Sequence, residues 1–221
     1  MPEVLALKAV DEAGLVSASA ARRVSRGIMR ALETRSIIPG QRLVEGELAT
    51  QYGVGRNAVR EAVQWLAAHG VMDTTRFRSS AVRLLSPKEA QETLDVFAVI
   101  IELCVCEAAR NFDVHVHGEL LRHVLGEMAS TVDSRTPGAY GRARRHAYKA
   151  LISISGNGEL LRLFPALGLH VVHAQFHGQG SEPAAHITFR AIGDAVSTND
   201  QVAGKLAAHA FVCALRSVIG R

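Results

Sequence analysis

The apolar positions at the start of the chain predict two helices joined by a turn. Residues 21–36 carry an apolar stripe at helical spacing, formed by Val24, Ile28, Ala31 and Leu32. A Pro-Gly turn signal follows in the segment IIPGQRL. The next segment, VEGELATQYG, has the pattern of a short helix, and Gly53 is expected to close it as a C-terminal cap.

A third helix is predicted over residues 54–70, VGRNAVREAVQWLAAHG. Val59, Val63 and Leu66 fall on one face of this helix, and Gly70 lies just past its end. The following segment, VMDTTRFRSSAVRLL, has the pattern of two short extended segments around a polar turn. Three helices followed by a small hairpin are typical of a winged helix-turn-helix domain.

A Ser-Pro pair at residue 86 marks the end of this unit, because it is a signal for the start of a new helix. We therefore predict an N-terminal extension over residues 1–20, a winged helix-turn-helix domain over residues 21–86 and a second domain over residues 87–221.

The second domain is predicted to be an all-helical bundle. Its first helix has apolar residues at Leu94, Phe97, Ile101, Cys104 and Val105. Loops are expected at residues 111–117, 134–139 and 178–183, and VHVHG at residues 114–118 has the pattern of a loop or a short extended segment. The fold class is therefore predicted to be mainly α.

The net charge of +4 lies entirely in the first part of the chain. Residues 1–86 contain 12 Lys and Arg against 8 Asp and Glu, whereas residues 87–221 contain 13 of each. This division indicates a first domain that meets a polyanion and a second domain with another task. The alternative is that an excess of four charges is only a solvated surface.

Composition and motifs exclude several classes of protein. The longest apolar run, VFAVIIELCVC, is broken by Glu102 and is too short to span a bilayer, and the N-terminus lacks the order of a signal peptide. We therefore expect a cytoplasmic protein without a membrane segment. Cys104, Cys106 and Cys213 form no CxxC pair, which favours buried reduced thiols. No GxGxxG, Walker or GxSxG motif occurs.

The two arginines at the start of the third helix have a physical role in a helix-turn-helix domain. Such a domain lays the second helix of the motif in the major groove of DNA. Arg56 would pair with guanine, Arg60 lies one turn later on the same face, and Asn57 would bond a base edge or a phosphate. Arg76 and Arg78 in the hairpin would contact the backbone or the minor groove. The candidate DNA-binding residues are Arg42, Arg56, Asn57, Arg60, Arg76 and Arg78. The alternative is a surface helix without a ligand.

The segment IIPGQRLVEGELATQYGVGRNAVREAVQWLAAHGVM resembles the DNA-binding domain of GntR-family bacterial transcription regulators. That family has the signature PG-x-x-L-x-E-x-x-LA followed by VREA-L, and the match covers residues 21–84. The resemblance implies that Arg56 and Arg60 read bases. Gly46 stands where many relatives have a residue that touches DNA, and Phe77 stands where the wing tip is commonly glycine.

The second domain is similar to the helical ligand-binding domain of the FadR subfamily, called FCD, in SISGN at residues 153–157 and AVSTND at residues 195–200. Most FCD domains bind a divalent metal through one Asp and three His, beside a small carboxylate effector. The corresponding positions of this chain are Arg144, Tyr148, Phe189 and Phe211.

This replacement implies a site that holds no metal cofactor. The four residues are our candidate effector site, in which an acidic effector would pair with Arg144 directly and Tyr148 would donate a hydrogen bond. The alternative is a pocket that has collapsed around Phe189 and Phe211 and binds nothing. Ala98 also replaces a pocket arginine that relatives often have.

Histidines near these positions leave a metal alternative open. One set lies two or three residues from the family's ligand positions and comprises His146, His186 and His209. A second set shares one helical face and comprises His170, His173 and His177. Either set would make the chain a metal sensor or a metal-dependent enzyme that binds an ion such as zinc or nickel.

The function expected from these observations is DNA-binding transcription regulation rather than catalysis. We expect a homodimer, a repressor or an activator, that binds a palindromic double-stranded operator and responds to a small organic acid in its second domain.

Overall fold

A computed structural model describes residues 19–74, 80–132, 134–176 and 182–219 of the chain. Its first domain contains α1 (Ser19–Glu33), β1 (Arg42–Leu43), α2 (Glu45–Tyr52), α3 (Arg56–Ala68), β2 (Met72–Asp73) and β3 (Ser80–Val82).

The three helices of the first domain form where the apolar pattern predicts them. Val24, Ile28 and Leu32 of α1 are fully buried, and α1 packs against α3. Gly53 ends α2 with a φ of 60°, in the left-handed region that glycine adopts at little cost. The prediction of three helices with a glycine cap between the second and the third is confirmed.

The sheet has one strand more than the predicted hairpin. Its strands lie in the order β1-β3-β2 and are antiparallel, with Arg42 opposite Ala81 and Met72 opposite Val82. β1 has only two residues, so it shows no alternation in the sequence. It forms because Leu43 is buried beneath the sheet while the β3 backbone supplies its hydrogen bonds.

The second domain is a helical bundle around one long central helix. Its helices are α4 (Pro87–Asn111), α5 (Val114–Ala129), α6 (Ala139–Ser155), α7 (Gly158–Leu163), α8 (Leu169–Phe176), α9 (Glu182–Ser197) and α10 (Gln201–Arg216), with a 3-10 turn at Phe164–Leu167. α4 packs against α6, α9 and α10. The mainly α fold class is confirmed.

The start of α4 follows the predicted Ser-Pro signal. The Ser86 hydroxyl accepts a hydrogen bond from the Glu89 backbone N–H, and the Glu89 carboxylate accepts one from the Ser86 N–H at 2.8 Å. Pro87 occupies the first turn, where its missing N–H costs nothing.

The loop predicted around residues 111–118 of this domain is wrong. The loop expected at residues 111–117 is interrupted by α5, which begins at Val114 because the Asp113 carboxylate caps it by accepting a hydrogen bond from the His115 N–H. VHVHG is therefore helical. The loop expected at residues 178–183 lies mainly outside the described residues, but its last two positions belong to α9.

The three cysteines also differ in burial, contrary to the prediction from the sequence. Cys104 is buried, and burial raises the pKa of its thiol to about 12. Cys106 is half-buried and Cys213 is exposed, because both lie on outer faces of their helices. The expectation of three buried thiols is therefore wrong for Cys213.

The two domains are in direct contact. Glu33 at the end of α1 forms an ion pair with Arg145 of α6. The backbone N–H of Leu85 donates to the Gln175 side chain at 2.9 Å, and the Gln175 amide donates back to the Leu85 carbonyl at 2.6 Å. These bonds join the connecting segment to α8. Within the described ranges, no helix combines the length and apolar character that crossing a membrane requires.

Candidate nucleic-acid interface and ligand site

α3 presents a polar face to solvent because its other face is locked into the core. Arg56, Asn57 and Arg60 are exposed at the start of the helix. The buried face is formed by Val59, Ala62, Val63 and Leu66. No described side chain caps the helix at Gly55, so the first N–H groups of α3 remain available to a phosphate. The structure thus brings these three predicted residues together on one surface.

Arg60 is held by an ion pair that the sequence analysis did not predict. Its Nε lies 3.0 Å from Oε2 of Glu45, at the first position of α2. The Arg60 side chain remains 60% exposed. Because the bond uses Nε, the Nη groups keep their donors for a base or a phosphate. The pair connects Arg60 of α3 to the start of α2.

A second arginine also joins two helices of the first domain. Arg23 of α1 donates from Nη2 to the carbonyls of Tyr52 and Gly53 at 3.1 and 3.3 Å. These carbonyls end α2, where a cation is favourable. Gly27 makes room for this packing, since a Cβ there would clash with the Tyr52 ring. The Arg-rich sequence of α1 gave no sign of which arginine makes this contact.

Of the remaining predicted DNA-contacting residues, the structure describes Arg42 but not the two arginines of the hairpin. Arg42 is exposed on β1. Arg76, Arg78 and the wing-tip Phe77 lie outside the described residues. Gly46 of α2 borders open space, since a Cβ there would meet no atom within 4 Å. The surface therefore has room for a longer side chain at the position where many relatives touch DNA.

Three of the four predicted effector residues form part of a packed aromatic cluster. Phe189 and Phe211 are at most 1% exposed, and their ring centroids lie 5.9 Å apart. Tyr148 lies 6.2 Å from Phe211 and 6.3 Å from Phe189. Phe97 and Phe164 complete the cluster. Burial raises the pKa of the Tyr148 hydroxyl, which has no hydrogen-bond partner among the described residues.

Arg144 lies apart from these rings. It lines a cavity of about 740 Å³ between α1 and the second domain, and none of the other three residues lines that cavity. Arg144 is only 6% exposed, and its guanidinium lies 5.3 Å from the ring centroid of Tyr140. The structure thus separates the predicted effector residues into an aromatic core and one buried cation.

The histidines that could have replaced the family's metal ligands lie in three different surroundings. His146 contacts the Glu127 carboxylate at 2.8 Å, and His186 lies 3.2 Å from the Thr131 hydroxyl. His209 is exposed beside Cys213. Across the described parts of the chain, no three His, Cys, Asp or Glu side chains are grouped closely enough to hold a metal ion.

The second histidine set borders the cavity. His170 and His173 line it, whereas His177 lies outside the described residues. Burial lowers the pKa of His170 to about 3, and the positive charges of Arg144 and Arg145 contribute to the shift. His170 is therefore neutral at pH 7.

Comparison with known proteins supports a regulatory assignment for the first domain. Residues 20–82 match the family described as bacterial regulatory proteins, gntR family. The chain is similar to the probable D-xylose utilization operon transcriptional repressor of Paenarthrobacter nicotinovorans. That relative is 27% identical over 169 residues, which are 76% of this chain and 73% of the relative.

Two solved structures share the fold of the whole chain. The E. coli protein McbR/YncC superposes with a TM-score of 0.75 at 15% identity, over 89% of this chain and 94% of that one. A putative GntR transcriptional regulator from Rhodococcus sp. RHA1 gives 0.76 at 19% identity, over 91% of this chain and 98% of that one. Both likenesses concern the fold, a winged helix-turn-helix with a helical second domain. Residues 20–82 therefore form a GntR-family domain, and the similarity of the chain to a transcriptional repressor supports a regulator of that type.

Proposed function

We propose that this chain is a homodimeric, sequence-specific repressor whose binding to operator DNA is modulated by a small acidic metabolite in the second domain. The observation that carries the proposal is the exposed row of Arg56, Asn57 and Arg60 on α3. A helix of this kind fits the major groove, where Arg pairs with guanine and Asn with adenine.

The first domain can supply phosphate contacts beside these base contacts. Arg42 is exposed on β1, and no described side chain caps the N-terminus of α3 at Gly55. Such contacts fix the register of a protein on the duplex without reading its sequence. We propose Arg76 and Arg78 as further contacts in the wing.

An exposed apolar surface supports the homodimer. Val99 and Leu103 of α4 lie on one side of it, and Val202 and Leu206 of α10 lie on the other. Lys205 of α10 and Glu102 of α4 form an ion pair of 2.8 Å between the two helices. Val202 is 74% exposed, which is unfavourable for a large apolar side chain in water. A two-fold axis through this surface would give two heads and a palindromic operator.

We propose that Arg144 recognises the effector and that no metal is needed. The guanidinium would supply the positive charge that a metal gives to most FCD domains. On this basis we also propose that the second domain is of the FadR type. The relative's name connects it with D-xylose utilisation, whereas a buried arginine favours an acid. After exposure to zinc and nickel followed by dialysis, we expect near-zero metal per chain by mass spectrometry. One equivalent would contradict this part of the proposal.

The experiment for DNA binding uses the full chain and a duplex selected from a random pool. We expect the selected site to be palindromic and its affinity to fall steeply with salt, because Lys and Arg displace counterions from the phosphates. Fluorescence anisotropy of the labelled duplex measures this. The variant Arg122→Ala, at an exposed position of α5, should bind as the wild type does. Absence of duplex binding by a folded dimer at low salt would overturn the proposal.

A further inference from the structure

We infer that the cavity between the two domains binds a small dianion, a dicarboxylate or a phosphate monoester, and that the bound anion sets how the DNA-binding domain sits on the helical domain. The inference rests on the proposed function, because it identifies where and how an acidic effector would act.

The cavity has walls from both domains. The first domain contributes the end of α1 and the residues after it, including Thr34 and Arg35. The second domain contributes the start of α6 and one side of α8, including Arg144 and His170. A volume of about 740 Å³ is within the range of sites for small metabolites.

Arg144 is the strongest sign that the ligand is an anion. It is 6% exposed, lines the cavity and has no carboxylate within 4 Å among the described residues. Glu33 is the only described carboxylate in the cavity wall, and it already pairs with Arg145. A buried cation is costly unless an anion compensates its charge. The Tyr140 ring compensates only part of it.

The start of α6 adds an independent attraction for the same charge. This helix of 17 residues begins in the cavity wall, and no described side chain caps it at Gly138. The positive end of the helix dipole favours an anion there. Arg144 lies little more than one turn further along the same helix. Arg35 and Arg135 are exposed residues of the cavity wall, so the wall carries two further positive charges.

The cavity lies beside a close contact between the two domains, so a ligand there affects their arrangement. Gly138 has a φ of 74°, and a Cβ on it would lie 3.0 Å from Cγ2 of Thr34. A Cβ on Gly141 would lie 3.2 Å from Cγ of Glu33. An anion between Arg144 and Arg35 would bind best when α1 rests on α6 as it does here. Because the anion would bind this arrangement of the domains more tightly than other arrangements, it would favour this arrangement and so change the affinity for the operator.

The binding test uses isothermal titration calorimetry on the full chain with three probes: succinate, inorganic phosphate and, as a neutral compound, D-xylose. We expect one dianion to bind and D-xylose not to bind. Arg144→Gln should weaken dianion binding by about 30-fold, since a charge-assisted bidentate contact is lost. Arg142→Gln is the matched control, because Arg142 is exposed on the same helix and does not line the cavity.

Comparison of succinate with inorganic phosphate identifies the chemical class of the ligand. Binding of succinate alone indicates a carboxylic acid, and binding of phosphate alone indicates a phosphate monoester. Binding of neither, or equal binding by the wild type and Arg144→Gln, would overturn the inference. A loss in Arg142→Gln as large as the loss in Arg144→Gln would also overturn it.

A second variant keeps the test valid if Arg144→Gln fails to fold. Arg35→Gln changes an exposed residue of the first domain, and we expect it to weaken dianion binding by about threefold to tenfold. The dianion should change operator affinity at least about threefold in the wild type and not in Arg35→Gln. Unchanged operator affinity at saturating dianion would overturn the coupling. Failure of the wild-type chain to bind the operator in the absence of any ligand would instead contradict the proposed function.

Discussion

The proposed DNA-binding surface and the predicted effector site are built in opposite ways. Arg56, Asn57 and Arg60 belong to one helix and lie exposed on it. The effector residues come from three helices, and the structure separates them: Tyr148, Phe189 and Phe211 pack ring against ring, whereas Arg144 borders a cavity between the domains. The period of a single helix was enough to place the first set. The second set depended on how several helices pack.

The largest expected effect tests whether the aromatic cluster is a packed core. Phe211 is fully buried among three other rings. Phe211→Ala should lower the free energy of unfolding by about 3–5 kcal/mol, because the cavity left behind cannot collapse fully. Urea unfolding followed by circular dichroism measures this. The control, Phe211→Leu, should cost less than about 2 kcal/mol. A loss below about 1 kcal/mol in Phe211→Ala would indicate an open pocket at this position instead.

The next effect tests the DNA-binding surface. Arg56→Ala should weaken operator affinity by about 10- to 100-fold, as expected for an arginine that pairs with guanine. The melting temperature should stay within about 2 °C, because the side chain is exposed. Anisotropy at constant salt and thermal unfolding measure the two quantities. A loss of the same size on random DNA would show that Arg56 contacts phosphate only.

A smaller effect concerns the ion pair between the helices of the motif. Glu45→Gln removes the partner of Arg60 and should change stability by less than about 1 kcal/mol, because the Arg60 side chain is 60% exposed and water screens the pair. The ratio of operator affinity to random-DNA affinity should fall by about threefold, since Arg60 loses its fixed position. Competition binding with the two duplexes measures this ratio. An unchanged ratio would show that the pair does not position Arg60 for recognition.

The smallest effect uses the open space at Gly46. Gly46→Lys should raise the affinity for operator and random DNA alike by about threefold and steepen the salt dependence by about one phosphate contact. The side chain meets no obstacle there. Gly46→Gln is the uncharged control and should leave the salt dependence unchanged. Equal salt dependence in Gly46→Lys would place α2 away from the phosphate backbone.

Local signals in the sequence predicted the elements that depend on neighbouring residues. The Gly53 cap and the Ser86 capping box are formed by residues within a few positions of each other. The start of α5 was also encoded locally, by Asp113 as the N-cap, but the two histidines that follow obscured it. The β1 strand had no such signal, because its partner lies about 40 residues later in the chain.

The sequence by itself determined α3, its exposed arginines and the mainly helical fold, because the helical period relates residues three and four positions apart. The tertiary structure alone decided that Arg60 pairs with Glu45, that Phe189 and Phe211 fill a core, and that Arg144 faces a cavity beside α1. These facts depend on contacts between distant segments. The burial and charge environment of a side chain follow from such contacts, and its own sequence neighbourhood does not contain them.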